Sequence, residues 1–232
     1  MIGIIDFETT GLSPIEDDPV EFAAVIFDVE RKRFARSYES LFPLFPTDPT
    51  KAEKVQNLCG ITPLYCQTFH DDSGFRTVHR LMQSGVISHA VAFNAPFDRS
   101  FFEKTCTLLS LPMPSTPWIC AKADVPYHLH NTRATSLTHT AADLGVLSPL
   151  KHRALGDCLT LMQVLQRFEW NDIIAYTAIP TIKVLALVSY NDREKAKAHG
   201  FYWDPITKRW FREMKANEDR SRFPFETVVV PV

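Results

Sequence analysis

The stretch "IIDFETTGL" at residues 4–12 places two carboxylates, Asp6 and Glu8, on a run of strand-forming residues. Side chains at i and i+2 share one face of a strand, so these like charges stand side by side and repel. The flanking Ile4, Ile5 and Phe7 indicate a buried strand rather than a solvated edge, and a buried anionic pair needs a positive partner. Two more carboxylates stand near helix starts. Asp98, in "FNAPFD", follows a strand pattern and falls just inside a helix. Asp157, in "HRALGD", lies at the margin of an apolar helical stripe and so faces the protein body. Each alone is ordinary, since Asp near a helix N-terminus commonly complements the helix dipole.

Together the four are hard oxygen donors of the kind that bind Mg²⁺ or Mn²⁺. Two such ions about 3.5–4 Å apart suit phosphodiester hydrolysis, because they offset charge on both the attacking and the leaving oxygen. That chemistry also requires a general base. His152 precedes Asp157 by five residues. Five helical steps turn about 140°, so the two meet at one point only if His152 sits in the loop or first turn before the helix that carries Asp157. An imidazole titrates near neutrality, and from that place it would take the proton of an attacking water.

These residues need a scaffold, and the hydrophobic pattern supplies one. Apolar runs predict strands over about 2–7, 20–29, 34–42 and 86–93, a helix around 96–109 and a short extended piece at 117–120. The Pro-rich segments "LFPLFPTDPT" and "LSLPMPSTP" read as loops. In "ALGDCLTLMQVLQRF" a single stripe carries Ala154, Leu155, Cys158, Leu161, Met162 and Leu165, which predicts a buried helix. An α/β domain is therefore expected over 1–170, followed by a linker over 171–180. Beyond it, "TIKVLALVSY" predicts a strand and "NDREKAKAHG" a helix capped by Asn191 or Asp192 and stopped by Gly200. "FYW" and "KRWFR" then flank "DPIT" as a hairpin, and "ETVVVPV" fits a last strand. Residues 181–232 thus form a small α+β, βαββ-like module.

At 232 residues, 45% hydrophobic and 22% charged, the chain has the composition of a folded protein with one well-buried domain and an appendage, which excludes disorder. It enters a strand pattern directly from Met1, and no apolar run approaches the roughly 20 residues of a membrane span, so neither a signal peptide nor a transmembrane helix is expected and the cytoplasm is the default compartment. Cys59, Cys66, Cys106, Cys120 and Cys158 are scattered without a CxxC pair, which suits reduced thiols better than disulfides or a zinc cage. Charge is unevenly spread. Residues 1–180 hold 15 Lys/Arg against 20 Asp/Glu, whereas residues 181–222 hold 10 against 6. The basic stretch is the better fit to a polyanion, while the acidic part needs metal ions before it tolerates one.

Taken in order, "DFETTG", "NAPFD" and "HRALGD" resemble the three exonuclease motifs of the DEDDh, DnaQ-like family of 3′→5′ exonucleases, over about residues 1–170. The resemblance implies a ribonuclease H-like α/β fold, a mixed five-stranded sheet with flanking helices. It also implies that Asp6, Glu8, Asp98 and Asp157 bind two Mg²⁺ (or Mn²⁺) and that His152 is the base. Substrate contacts would come from Thr9, Thr10, Gly11 and Leu12, with backbone hydrogen bonds and Leu12 as an apolar wedge, and from Asn94 and Phe97; otherwise the turn at 9–12 merely ends the strand. Two positions depart from the pattern. "LCGIT" has Cys59 where the family's turn carries His, and Phe93 stands where His is common before Asn94. Neither departure removes a metal ligand.

The run "AHGFYWDPITKRWF" resembles a short C-terminal module of exonuclease X-like nucleases. Trp203 and Trp210 flank its turn and read as a cross-strand packing pair. Tyr202, Lys208 and Arg209 read as a stacking and phosphate-binding surface for single strands. Lys195 and Lys197 are taken as solubilising, and His128 and His130 as loop residues. The expected function is two-metal 3′→5′ exonuclease action on single-stranded 3′ ends, releasing nucleoside 5′-monophosphates in repair, proofreading or end trimming. DNA is favoured because the module resembles that of exonuclease X. The alternatives are an exoribonuclease that trims RNA, and a nucleic-acid-binding scaffold with a silent nuclease domain. Retention of all five acid and base residues speaks against the scaffold, since unpaired buried carboxylates are costly to fold around.

Overall fold

Strand β1 (Ile2–Thr9) sorts its side chains by parity. Ile2 and Ile4 bury in one apolar cluster and Ile5 and Phe7 in another, so the strand lies inside a sheet covered on both faces. The computed structural model describes residues 1–43, 49–148, 150 and 152–230. In it β1 is followed by β2 (Pro19–Asp28), β3 (Arg33–Leu41), β4 (His89–Ala92) and β5 (Trp118–Cys120), in a five-stranded sheet of order β3-β2-β1-β4-β5. The first three strands pair antiparallel and β1, β4 and β5 pair parallel, as expected of a ribonuclease H-like mixed sheet. All ten residues of β2 are buried, which suits a strand flanked on both sides and covered on both faces.

Helices α1 (Pro49–Cys59), α2 (Pro63–Phe69), α3 (Ser73–Gln83), α4 (Ala95–Leu108), α5 (Ala121–Asp124), α6 (Leu137–Asp143), α7 (Ala154–Leu165) and α8 (Trp170–Thr177) complete this part of the chain. The stripe of Cys158, Leu161, Met162 and Leu165 packs α7 against the face that carries Ile2, Ile4, Ala23, Val25 and Phe27. Phe75, Val78 and Met82 of α3, with Phe101, Phe102 and Cys106 of α4, cover the opposite face. There Phe75 sits within 4.7–6.4 Å, centroid to centroid, of Phe7, Phe22, Phe42 and Phe102.

The parity of β1 continues past the core, so Asp6 and Glu8 follow Ile2 and Ile4 on the α7 face. Its neighbour β4 is shorter. Pairing between them covers only Ile2–Ile4 against His89–Val91, and beyond Ala92, where β4 ends, β1 runs on paired with β2 alone. The notch lies at the carboxyl ends of parallel strands, where open α/β sheets hold their ligands.

Strands match the sequence expectation closely, whereas α1, α2, α3, α6 and α8 go beyond it. The segment 171–180 is not a linker throughout. Trp170, Ile173 and Ile174 recur at helical spacing, α8 runs to Thr177, and Ile173 is buried in the α7-side core. Of the Pro-rich segment expected as a loop, residues 44–48 lie outside the described residues, and Pro49 and Thr50 begin α1, where Pro fits a first helical turn. His128 and His130 fall in a 3₁₀ turn, Tyr127–His130. Five free thiols are present, as expected. Among the described residues no helix is long and apolar enough to cross a membrane.

The chain divides into two compact units, Met1–Ile174 and Ala175–Val232. The second holds β6 (Thr181–Ala186), α9 (Arg193–Ala198), β7 (Tyr202–Asp204), β8 (Arg209–Lys215) and β9 (Thr227–Val230), in an antiparallel sheet of order β7-β8-β6-β9. Val184, Ala186, Ala196, Phe201, Met214 and Phe223 form its core. Trp203 lies directly opposite Trp210, with ring centroids 5.7 Å apart. Asp192 precedes α9 but does not cap it. Its carboxylate accepts from Ser189 and pairs with Lys195 instead. Gly200 supplies the left-handed turn after the helix, at φ +77°.

Phe75→Ala should cost about 3–5 kcal/mol, the usual loss for a buried ring whose cavity cannot collapse, read as a fall in urea midpoint with the slope unchanged.

Candidate active site

The notch leaves one backbone group to satisfy. With no β4 partner at that level, the Phe7 amide donates to Asp98 Oδ1 at 3.1 Å. Asp98 reaches it from the first turn of α4, which begins as soon as β4 ends; the Asn94 carbonyl accepts from Phe97 at 2.9 Å and starts the helix. On the other side α7 delivers Asp157, whose Oδ2 accepts from the His152 amide at 3.2 Å. His152 is left-handed at φ +61°, so the chain doubles back just before the helix and carries the imidazole to the same end. Ligand atoms of Glu8, His152 and Asp157 all lie within 4.8 Å of one another. The pre-helical place expected for His152 is thus the one it occupies.

Electrostatics bind Asp6 and Asp98 into the same group. Burial, and then the charge of Asp98, Glu8 and Asp157, raises the Asp6 carboxyl well above its ordinary range. Burial is also the main cause at Glu8, which is pushed up to about 8 with help from Asp157 and Glu21 and relief from Arg153. Asp98 rises through burial, opposed by the Phe7 amide. Asp157 rises through burial, opposed by its hydrogen bond to His152. The cluster is short of positive charge, and the carboxylates of Glu8 and Asp157 beside the His152 imidazole, with those of Asp6 and Asp98 coupled to them, are a donor set that fits divalent ions.

Glu21 is a site residue that the sequence alone does not reveal. It lies directly opposite Glu8 on β2 and is only 4% exposed. Arg153 answers it with a forked ion pair, Nε at 3.1 Å from both oxygens and Nη2 at 2.6 Å, and the Ala154 amide donates to Glu21 Oε2 at 2.9 Å. Glu21 therefore anchors the first residue of α7 and the residue that follows His152. The available signal is an acid inside the otherwise apolar "PVEFAAV" and an Arg inside "HRALGD". Gly156 completes the joint, since a Cβ there would fall 2.1 Å from the Leu150 carbonyl oxygen.

The turn after β1 is stapled by Asp17. Its Oδ2 accepts from the Ser13 amide at 2.9 Å, Lys51 pairs with Oδ1 at 2.7 Å, and Lys104 donates to its carbonyl at 2.7 Å. Gly11 is required for this close approach, because a Cβ would lie 2.3 Å from Asp17 Oδ2. Thr10 builds the loop rather than facing a ligand. It is buried, its amide donates to the Asp18 carbonyl, and its hydroxyl accepts from the Asp18 amide. The Thr9 hydroxyl donates to the Gly11 carbonyl. Leu12 projects from the loop, 81% exposed, as a wedge requires. Asn94 is exposed and makes no capping bond, and Phe97 is half-buried against Phe101 at 4.9 Å. Cys59 ends α1 within electrostatic reach of Glu8, Glu21 and Arg153.

The five-stranded sheet, the notch and the clustered acids define a ribonuclease H-like nuclease. Residues 4–165 match the RNase T family, described as Exonuclease, and residues 183–230 match a family described only as a domain of unknown function. The chain belongs to this exonuclease family, and its ribonuclease H-like fold is the one that the solved structures share. No curated protein sequence is a significant match. Among solved structures, the nuclease domain of 3′hExo, a DEDDh family member bound to rAMP, is 19% identical at TM-score 0.58, over 72% of this chain and 90% of that one. E. coli exonuclease I in complex with a dT13 oligonucleotide is 15% identical at TM-score 0.60, over 81% of this chain and 48% of that one, so this chain spans about half of exonuclease I.

Because Glu8 titrates at about 8 in the fold against 4.5 when free, the metal-free fold retains a proton that the unfolded chain has lost between those values. Stability then falls as pH rises through that interval. Divalent ions bind the deprotonated form, so the gain in Tm on adding Mg²⁺ should be larger near pH 8 than near pH 5.5 in thermal scans against EDTA. An equal gain at both would contradict it. Glu21→Gln should lose about 1–2 kcal/mol, tempered by the partial exposure of Arg153. It should also lower kcat more than it raises KM, since it displaces the His152 joint and touches no substrate; urea melts and steady-state rates check both.

Proposed function

We propose that this chain removes nucleoside 5′-monophosphates one at a time from single-stranded 3′ ends, with DNA preferred, using two Mg²⁺ or Mn²⁺ ions. The observation that carries the reading is the convergence of Glu8, His152 and Asp157 within 4.8 Å at the open end of β1, beside Asp6 and Asp98. Asp6, Glu8, Asp98 and Asp157 would hold the ions. Such a pair, when bound, offsets the charge that builds on the phosphate and on the attacking and leaving oxygens. His152 takes the proton of the attacking water, held in place by its own amide on Asp157. Water oxygen joins phosphorus, the bond to the penultimate O3′ breaks, and that oxygen leaves as a hydroxyl.

Leu12, on its stapled loop, wedges the terminal base, and Gly11, Asn94 and Phe97 border the nucleotide. Complexes of exonuclease I with dT13 support the DNA preference. A second reading, RNA trimming, has its own support in the rAMP-bound neighbour. Discrimination depends on contacts to the 2′-hydroxyl.

Deoxy and ribo oligomers of one sequence, 5′-labelled and resolved on a denaturing gel, separate the two readings. A ladder shortening from the 3′ end in Mg²⁺ and absent in EDTA is expected, faster on DNA, and absent in Asp6→Ala. His152→Ala should cut the rate by about 10²–10⁴. Faster loss of the ribo oligomer would select RNA trimming, and an intact oligomer in Mg²⁺ would sink both readings.

A further inference from the structure

We propose that one face of the C-terminal hairpin is a second binding surface for single-stranded nucleic acid, in which Tyr202 stacks a base and Lys208, Arg209 and Lys183 engage phosphates. The identity of the strand rests on the exonuclease reading. The surface itself rests on parity. Trp203 and Trp210 point to the core side of the sheet, where Trp210 packs with Val184, Ala186 and Met214. Tyr202, Asp204, Arg209 and Phe211 therefore share the other side, with Tyr202 across from Phe211 and Arg209 across from Asp204. Tyr202 is 60% exposed and is no part of that core.

The charges on this face are arranged for an outside partner. Asp204 is committed to its own turn, accepting from the Ile206 amide at 2.9 Å and the Thr207 hydroxyl at 2.7 Å, so among the described residues it leaves Arg209 without an ion pair although it lies opposite. Lys208 is exposed and left-handed at φ +52°, which presents it at the hairpin tip. Lys183 Nζ sits over the Phe211 ring at 4.3 Å. Across β7, β8 and β6 the rings of Tyr202 and Phe211 stand in one row with the buried Leu185, flanked by Arg209 on one side and Lys183 on the other, and bounded by Glu213 opposite Lys183 and by Lys215, which is buried on the carbonyls of Thr177 and Ile179. Several other cations of the unit have acidic partners, whereas Lys197 and Arg220 are exposed without an ion pair among the described residues. Lys195 pairs with Asp192, and Arg212 and Arg222 pair with Glu218. Rings with interleaved cations suit an unpaired strand, whose base faces are free to stack.

The test uses the full chain in EDTA, where hydrolysis is blocked, with a fluorescent single-stranded oligomer of about 30 nucleotides read by anisotropy. Tyr202→Ala and Arg209→Gln should each weaken Kd by about fivefold or more, and Arg209→Gln should reduce the slope of log K against log salt by about 0.7. Both positions are exposed, so melting temperatures should match the parent, and hydrolysis of a trinucleotide in Mg²⁺ should be unchanged. Affinities within about twofold of the parent for both variants would overturn the proposal. So would an equal loss on the trinucleotide, which would mean general damage. If the parent cleaves nothing in Mg²⁺ while the variants still lose affinity, the exonuclease reading fails and the surface stands. If the parent gives a normal ladder while the variants bind unaltered, the surface fails and the exonuclease reading stands.

Discussion

Crowded negative charge at the end of β1 is the constraint around which the first unit is arranged. Asp6 and Glu8 stand on the strand face that α7 covers, and Asp98, Asp157 and Glu21 approach them from three other elements. Left without a cation such a cluster favours protonation, and it is tolerated because the surrounding fold determines it so fully. The α7-side core holds the strand from below, the aromatic cluster around Phe75 holds it from the opposite face, and each carboxylate but Asp6 is tied to a named backbone amide or lies beside a tied one.

Those ties divide the labour among the acids. Asp98 serves the fold and the site together, since its acceptance from Phe7 replaces a missing ladder bond and fixes the carboxylate's second oxygen in the notch. Glu21 is the acid whose charge has an answer on the chain itself. By committing it to Arg153 and the Ala154 amide, the protein couples β2 to α7 at the residue beside His152, so the distance between strand acids and helix acids is set by an ion pair and not by the loop. The strained turn at His152 persists because its own amide is held by Asp157 and the next residue, Arg153, by Glu21.

Much of this is legible in the sequence, for identifiable reasons. Short, strongly apolar runs locate β1 to β5, and the 140° argument places His152 ahead of its helix. The helices α1 and α2 escape such a reading because their apolar faces are narrow, burying only Val55 and Cys66, whereas α3 carries a readable stripe in Phe75, Val78 and Met82 that a strand-first reading passes over. Glu21 escapes it because a lone acid in a strand carries no spacing signal, and its meaning depends on register with Glu8, which pairing alone reveals. The motif suggests Thr10 for substrate because it follows the acidic strand directly, whereas Asp18, eight residues on, claims both its amide and its hydroxyl. The segment after residue 170 resembles a link because the pattern of Trp170, Ile173 and Ile174 spans only two turns.

The two units answer opposite electrostatic problems. An acidic unit repels phosphates, and ions held by its carboxylates would reverse that repulsion only over about a Debye length. Nucleotides farther from the 3′ end lie beyond that reach. Residues 181–222, with 10 basic against 6 acidic side chains, carry the opposite sign. Within them the hairpin keeps Arg209 free of an ion pair among the described residues by turning Asp204 into its own loop, while Arg193, Lys195, Arg212 and Arg222 have acidic partners. A scaffold that needed only solubility would have no cause to separate those two residues across one register position. An Arg209 without an ion pair among the described residues beside the exposed Tyr202 is the combination that the proposed surface on the second unit requires.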